Sequence, residues 1–290
     1  MTHRILILAA LLALALPAAA QATSGASYLA SRQTLSGGFA EPGGSASVSL
    51  TEWAVMGLRA AGKNPARMHR SGGHGPGHFL ASHASHWTSS YALERGILAV
   101  VAMGKDPRNF GGHDLVRRLR GQIVTNGRIG RYANSTYWGV LALKAAGARI
   151  PSRSITYIKN RQAGGGGFPY ASSSAPDSND TAAAVMALRA GGVSCSGGVL
   201  TNAYDYLHSL QRSDHGYALG PSDGSDSQST SWAIQARIRC GLSNTGALEF
   251  LAARKRSDGS YNYAPGNHQT PAWVTSQVLP AVNGKAYPIG

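Results

Sequence analysis

The sequence predicts an all-α protein built from six helix pairs. A twelve-residue apolar segment that opens on threonine and closes on glycine recurs along the chain. Before it comes an aromatic-aliphatic pair, a glutamine and a glycine turn closed by an aromatic residue. The segments start at 51, 93, 136, 181, 230 and 270, a period of 40 to 49 residues.

The inner helix of each pair is read first. TEWAVMGLRAAG runs from Thr51 to Gly62, TYWGVLALKAAG from Thr136 to Gly147, TAAAVMALRAGG from Thr181 to Gly192, and TSWAIQARIRCG from Thr230 to Gly241. LERGILAVVAMG, Leu93 to Gly104, keeps the length without the threonine, and TPAWVTSQVLPA opens a sixth copy at Thr270. Apolar residues fall at three- and four-residue spacing, and alanine and leucine favour helix. Ser, Thr, Asp and Asn at the starts suit N-caps, and the closing glycine suits a C-terminal cap of positive φ.

The outer helix and its turn follow a second pattern. It reads Tyr28-Leu29, Gln33, Gly37-Gly38-Phe39, then Tyr157-Ile158, Gln162, Gly167-Phe168, then Tyr206-Leu207, Gln211, Gly216-Tyr217. Phe250-Leu251, Lys255 and Gly259-Ser260-Tyr261 form the last copy. The copy at Leu119 to Ile129 is degenerate, and the one before Leu93 carries a Gly/His-rich loop at Ser71 to His78.

This outer element resembles the QW motif of squalene-hopene and oxidosqualene cyclases, with Phe or Tyr for the final Trp. The whole pattern is similar to the prenyltransferase/squalene-oxidase repeat over roughly Ser24 to Pro280. The resemblance implies an α/α toroid, with inner helices around a central hole and outer helices outside. An open α-solenoid is the alternative architecture, because armadillo-type repeats have similar periods.

Residues 1–22 read as a secretory signal peptide, leaving 23–290 as one toroid domain. Arg4 is basic, Ile5 to Leu16 is apolar, and Ala20-Gln21-Ala22 is a small-x-small cleavage site. No later stretch is apolar for ~18 residues, so no membrane span is expected after the leader is removed. In an exported chain Cys195 and Cys240, at the ends of neighbouring inner helices, are expected to form a disulfide worth ~2–4 kcal/mol. The formal net charge is +14, one less without Arg4. This suggests an anionic partner such as a cell-surface polymer. The basic residues (Arg117, Arg118, Arg120; Arg254, Lys255, Arg256) are scattered and accompany no nucleic-acid motif, so they read as a solvated surface.

Three constellations are candidates for chemistry. Asp177-Ser178-Asn179-Asp180-Thr181-Ala182 resembles the DxDDTA motif of class II terpene cyclases, whose middle aspartate is the proton donor. Asn179 stands there instead, and an amide is no useful acid. Asp226 occupies the same register in the next repeat as Asp177, which points to helix capping for both. Asp177, Asp180 and Asp226 remain the catalytic candidates. Asp258-Gly259-Ser260-Tyr261 with His268 resembles the zinc-binding stretch of protein prenyltransferase β-subunits, with Ser260 in the thiolate position. His69, His74, His78, His83 and His86 form a loop cluster that could hold a metal at the rim.

Trp53, Trp138 and Trp232 each sit two residues after the repeat threonine and Trp273 three after Thr270; with Tyr137 they could line the hole as a ligand-binding wall or pack helix on helix. No GxSxG elbow supports a hydrolase. The reading is an exported toroid without cofactor that binds an apolar, isoprenoid or polymeric ligand. The alternatives are a diverged terpenoid-cyclase-like enzyme, which needs a buried carboxyl near Asp180, and a carbohydrate-active enzyme, which needs two opposed carboxylates.

Overall fold

The computed structural model describes residues 24–290, and the expected leader lies outside them. Among the described residues six inner helices alternate with six outer ones. The inner set is α2 (Val48–Ala60), α4 (Ser90–Ala102), α6 (Ala133–Ala145), α8 (Ser178–Ala190), α10 (Ser227–Ile238) and α12 (Pro271–Val282). The outer set is α1 (Gly25–Ser31), α3 (Pro76–His83), α5 (Leu115–Arg120), α7 (Ser152–Lys159), α9 (Gly198–Ser209) and α11 (Thr245–Arg254). Each inner helix packs on its two neighbours, and α12 returns to lie along α2. The chain therefore closes into a ring, the α/α toroid, and the open solenoid is excluded.

The inner helices are buried all round because they have outer helices behind and inner neighbours on both sides. In α2 every residue from Leu50 to Leu58 is buried. Ser47, Ser89, Asp177 and Asp226 cap α2, α4, α8 and α10, each accepting from a backbone N–H three residues on. The capping read from Asp177 and Asp226 is thus present. Gly62, Gly104, Gly147, Gly192 and Gly241 end the first five inner helices at φ between 60° and 87°.

One hydrogen bond fixes each outer turn to its inner helix. The threonine Oγ1 accepts from the buried backbone N–H of the turn's last residue. Thr51 does so from Phe39 (2.9 Å), Thr136 from Ile129 (3.0 Å), Thr181 from Phe168 (2.9 Å) and Thr230 from Tyr217 (2.8 Å). In the last repeat the acceptor is Thr275, from Tyr261 at 3.0 Å. This corrects the register read from Thr270, which precedes α12 with φ 42° and makes no capping bond through its side chain. Among the described inner helices only α4 lacks threonine in this slot; Leu93 stands there, and Trp87 packs its ring over Gly96 where a Cβ would come to 2.5 Å.

The turns are glycine-rich because they touch backbone. Gly37, Gly127 and Gly166 have φ of 93°, 91° and 88°. A Cβ on any of them would lie 2.2–2.3 Å from a carbonyl at the next outer segment. The motif glutamine spans the same gap, since Gln162 Nε2 donates to Gly166 O (2.8 Å) and to Val199 O in α9 (2.7 Å). Two of the turns widen into antiparallel pairs, β1 (Phe168–Pro169) with β2 (Pro176–Asp177) and β3 (Tyr217–Ala218) with β4 (Ser225–Asp226).

Ring closure has its own fastening. The Glu41 carboxylate accepts from the N–H groups of Ala272 (2.9 Å) and Trp273 (2.8 Å) at the start of α12. Gly57 of α2 approaches α12 so closely that a Cβ would sit 2.5 Å from Ser276 O. Cys195 and Cys240 are bonded, with Cα atoms 5.8 Å apart across 45 residues. No described helix is long and apolar enough to cross a membrane.

Thr181→Val keeps the shape and leaves the Phe168 N–H buried without a partner. Urea unfolding should show a loss of about 1–3 kcal/mol, while Thr201→Val on the exposed face of α9 should change little. Cys195→Ser should lower stability by up to about 4 kcal/mol, the chain-entropy value for a loop of this length, with mass spectrometry confirming the lost bond.

Candidate functional site

The six inner helices begin at one mouth of the ring and end at the other. Buried carboxyls gather at the mouth where they begin. Glu52 of α2 is fully buried, and its Oε2 lies 3.1 Å from Arg95 Nε on the neighbouring α4. Glu94, beside Arg95 in sequence, is 1% exposed, and its Oε1 has no hydrogen-bond partner. Arg95 also donates to Ser49 Oγ at 3.2 Å and sits 3.7 Å over the Tyr91 ring. Arg95 pairs with Glu52, and its charge also bears on the buried Glu94 beside it. Burial pushes Glu52 up to about 8 despite Arg95, and pushes Glu94 well above the carboxylate range.

Asp180 completes the cluster on α8. Asn134 at the start of α6 donates to its Oδ1 at 2.5 Å. Burial first, then the charge of Asp177, raise its pKa. Asp177 is itself raised by burial, while accepting the Asp180 N–H at 2.7 Å holds that rise down. Exposed tyrosines border these acids. Tyr170 packs on Tyr132 at 4.9 Å between ring centroids, and the field of Asp180 and Glu94 reaches Tyr170. Tyr91 is 51% exposed. The mouth thus combines proton-holding carboxyls with aromatic surface.

Below the mouth the lumen is filled. Trp53 meets Trp138, Trp232, Trp273 and Tyr287 edge-on, with ring centroids 5.5, 5.6, 6.1 and 5.9 Å away. Trp138 and Trp232 close the group at 5.1 Å. Tyr287 arrives from the segment after α12, is fully buried, and its hydroxyl has no partner. Arg239 holds that segment by donating to the carbonyls of Ala286 (2.5 Å), Tyr287 (3.0 Å) and Pro288 (3.2 Å). Four of the five aromatic residues named from the sequence therefore meet on the axis. Tyr137 stands apart, donating to Pro169 O at 3.0 Å and packing on Phe168.

The other candidates disperse. Asp226 caps α10 and accepts from Ser229 at 2.8 Å. Asp258 accepts from the N–H and hydroxyl of Ser260, and His268 contacts Asn262 Oδ1 at 2.9 Å. His74 stacks on His78 at 3.9 Å and His83 meets Phe79 O, while His69 and His86 engage other neighbours. Among the described residues no three His, Cys, Asp or Glu side chains converge as a metal site. The sequence reading missed Glu52, Glu94 and Arg95. The available signal was ionisable side chains inside otherwise apolar inner segments, Glu52 and Glu94 each one residue past the repeat's opening position.

No family model and no curated protein sequence matches the chain. Solved structures do match in fold. A wild-type glycosidase aligns at 13% identity over 90% of this chain and 95% of its own, with a TM-score of 0.62. Protein geranylgeranyltransferase-I of Candida albicans, complexed with GGPP, aligns at 10% identity over 81% and 82%, TM-score 0.59. A type II terpene cyclase from Scytonema, in complex with geranylgeranyl dihydroxybenzoate, aligns at 13% over 89% and 94%, TM-score 0.59. The protein is an α/α toroid, a fold shared with enzymes of different chemistries.

The retained proton has a pH signature. An acid whose pKa rises on folding favours the native state below its unfolded value, here 4.5 for Glu52, and loses that contribution as pH climbs to about 8. Stability should fall across that window by about 1.4 kcal/mol per pH unit per retained proton. Urea titrations at several pH values should show the decline, and Glu52→Gln should make it shallower while leaving the share of Glu94 and Asp180.

Proposed function

We propose that this protein is an exported toroid of the prenyltransferase/squalene-oxidase-repeat kind that binds a polymeric ligand at its rims and does not turn it over. The observation that carries the reading is the filled lumen. Trp53, Trp138, Trp232, Trp273 and Tyr287 occupy the axis where a polyprenyl chain would have to lie. Asn179 in the proton donor's place and Ser260 in the thiolate's place argue the same way. Export rests on the leader pattern over 1–22, and the disulfide is compatible with it.

The mouth acids favour a second reading, an enzyme. A carboxyl that stays protonated near neutral pH suits a general acid, and Glu52, Glu94 and Asp180 all have raised pKa values. Bordering tyrosines would suit a sugar ring. Purified protein incubated with squalene, a geranylgeranyl substrate and a glycan panel separates the two. The binding reading expects no product above the no-protein control. Turnover abolished by Asp180→Asn or Glu94→Gln would replace it with the enzymatic one.

A further inference from the structure

The basic residues that look scattered in the sequence are collected by the fold. Inner helices α2, α6 and α8 carry Arg59, Lys144 and Arg189 in their last turns, and Arg237 does the same for α10. All these helices end at the mouth opposite the carboxyls. Open clefts run along that face. One of about 470 Å³ is lined by Arg108, Arg117, Arg120 and Arg149, with Asp114 as its acid. Another, of about 320 Å³, shares Arg120 and Arg149 with it and adds Arg153. A cleft of about 370 Å³ lies between Lys144, Arg189 and Arg239. Arg239 links it to a fourth of about 430 Å³ that reaches Arg59 and Lys285.

Several of these cations are uncommitted. Among the described residues Arg59, Arg117, Arg120, Lys144, Arg149 and Lys285 are exposed and form no ion pair. Arg189 and Arg239 spend donors on carbonyls, and Arg120 gives one to Arg149 O at 3.3 Å. Many of the chain's cations thus stand along this face, while Glu52, Glu94 and Asp180 are buried at the opposite mouth.

We propose that this face is a docking surface for a flexible, phosphate-rich polyanion, which deepens the rim-binding reading and rests on it. The cations stand in linked concavities that follow an arc around the ring. A flexible chain with charges along its length can trace that arc and enter each cleft. A DNA duplex, stiff over ~150 bp, would touch the arc only at a tangent. Affinity would come from neutralised phosphates and released counterions, so it falls steeply with salt.

Long-chain inorganic polyphosphate is the probe, with titrations at several salt concentrations. Arg117→Gln/Arg120→Gln/Arg149→Gln should weaken binding at least ~10-fold at ~0.1 M salt and reduce the log–log salt slope by about 2. Lys159→Gln/Lys255→Gln/Arg256→Gln removes equal charge from the other rim and should change both little. Circular dichroism verifies folding of each variant. Equal weakening by the two triples, or no polyphosphate binding by the parent, overturns the proposal. So does tighter binding to duplex DNA or to anionic vesicles than to polyphosphate at the same salt. The basic-face triple leaves any turnover at the carboxyl mouth unchanged. Failure here is therefore distinct from failure of the non-catalytic reading.

Discussion

The ring depends on a buried threonine hydroxyl that accepts the last N–H of an outer turn. It recurs from Thr51 to Thr275 with lengths of 2.8–3.0 Å. A buried N–H without a partner is costly, so each turn is pinned at one height on its inner helix. Rotation is fixed with it. Two residues beyond the threonine the side chain meets the axis, and Trp53, Trp138 and Trp232 meet there for that reason. Arg95 occupies the equivalent place on α4, which brings a cation into a tryptophan level and explains why Glu52 and Glu94 can be buried beside it.

Parallel inner helices give the molecule an electrical axis. Six helix N-termini at one mouth present partial positive charge, which favours the cap aspartates and Glu41. The C-termini at the other present partial negative charge, which favours Arg59, Lys144 and Arg189. Helix capping accounts for a few basic residues. It does not account for Arg117, Arg120, Arg149 and Arg153, which lie beside the inner ends and enlarge one patch. The dipole argument is satisfied by far fewer cations than the face carries.

The architecture was legible because every copy meets the same constraints. Glycine marks where turns touch backbone, and threonine marks the pinned height. The last copy misled because TPAWVTSQ offers two threonines, and only the partner Tyr261 distinguishes Thr275 from Thr270. The cap aspartates were legible, since an N-cap is a local arrangement. The carboxyl cluster was not, because Glu52, Arg95, Asn134 and Asp180 come from different copies and meet only when the ring forms. Tyr287 follows the last repeat, so periodicity is silent about its place on the axis. The basic patch reads as scatter in the sequence for a similar reason, since Lys144 and Arg239 lie 95 residues apart and line one cleft.

A ring of helices buried on their outer and lateral sides still has an axis to fill or to leave open. Each large aromatic side chain buries ~150–250 Å², so filling the axis with four indoles and a phenol converts the hole into core. The same filling removes the volume an internal substrate would use. Selection for a ligand in the lumen would disfavour Tyr287, whose hydroxyl is buried without a partner and whose backbone needs Arg239 to hold it. A chain that accepts that desolvation to close its own centre has stability as the gain, and on the proposed reading recognition falls to the two ends. Those ends differ in kind. One holds enclosed carboxyls of raised pKa beside exposed tyrosines, and the other an open arc of solvated cations. On the proposed reading the second is the end that draws in a large anionic partner.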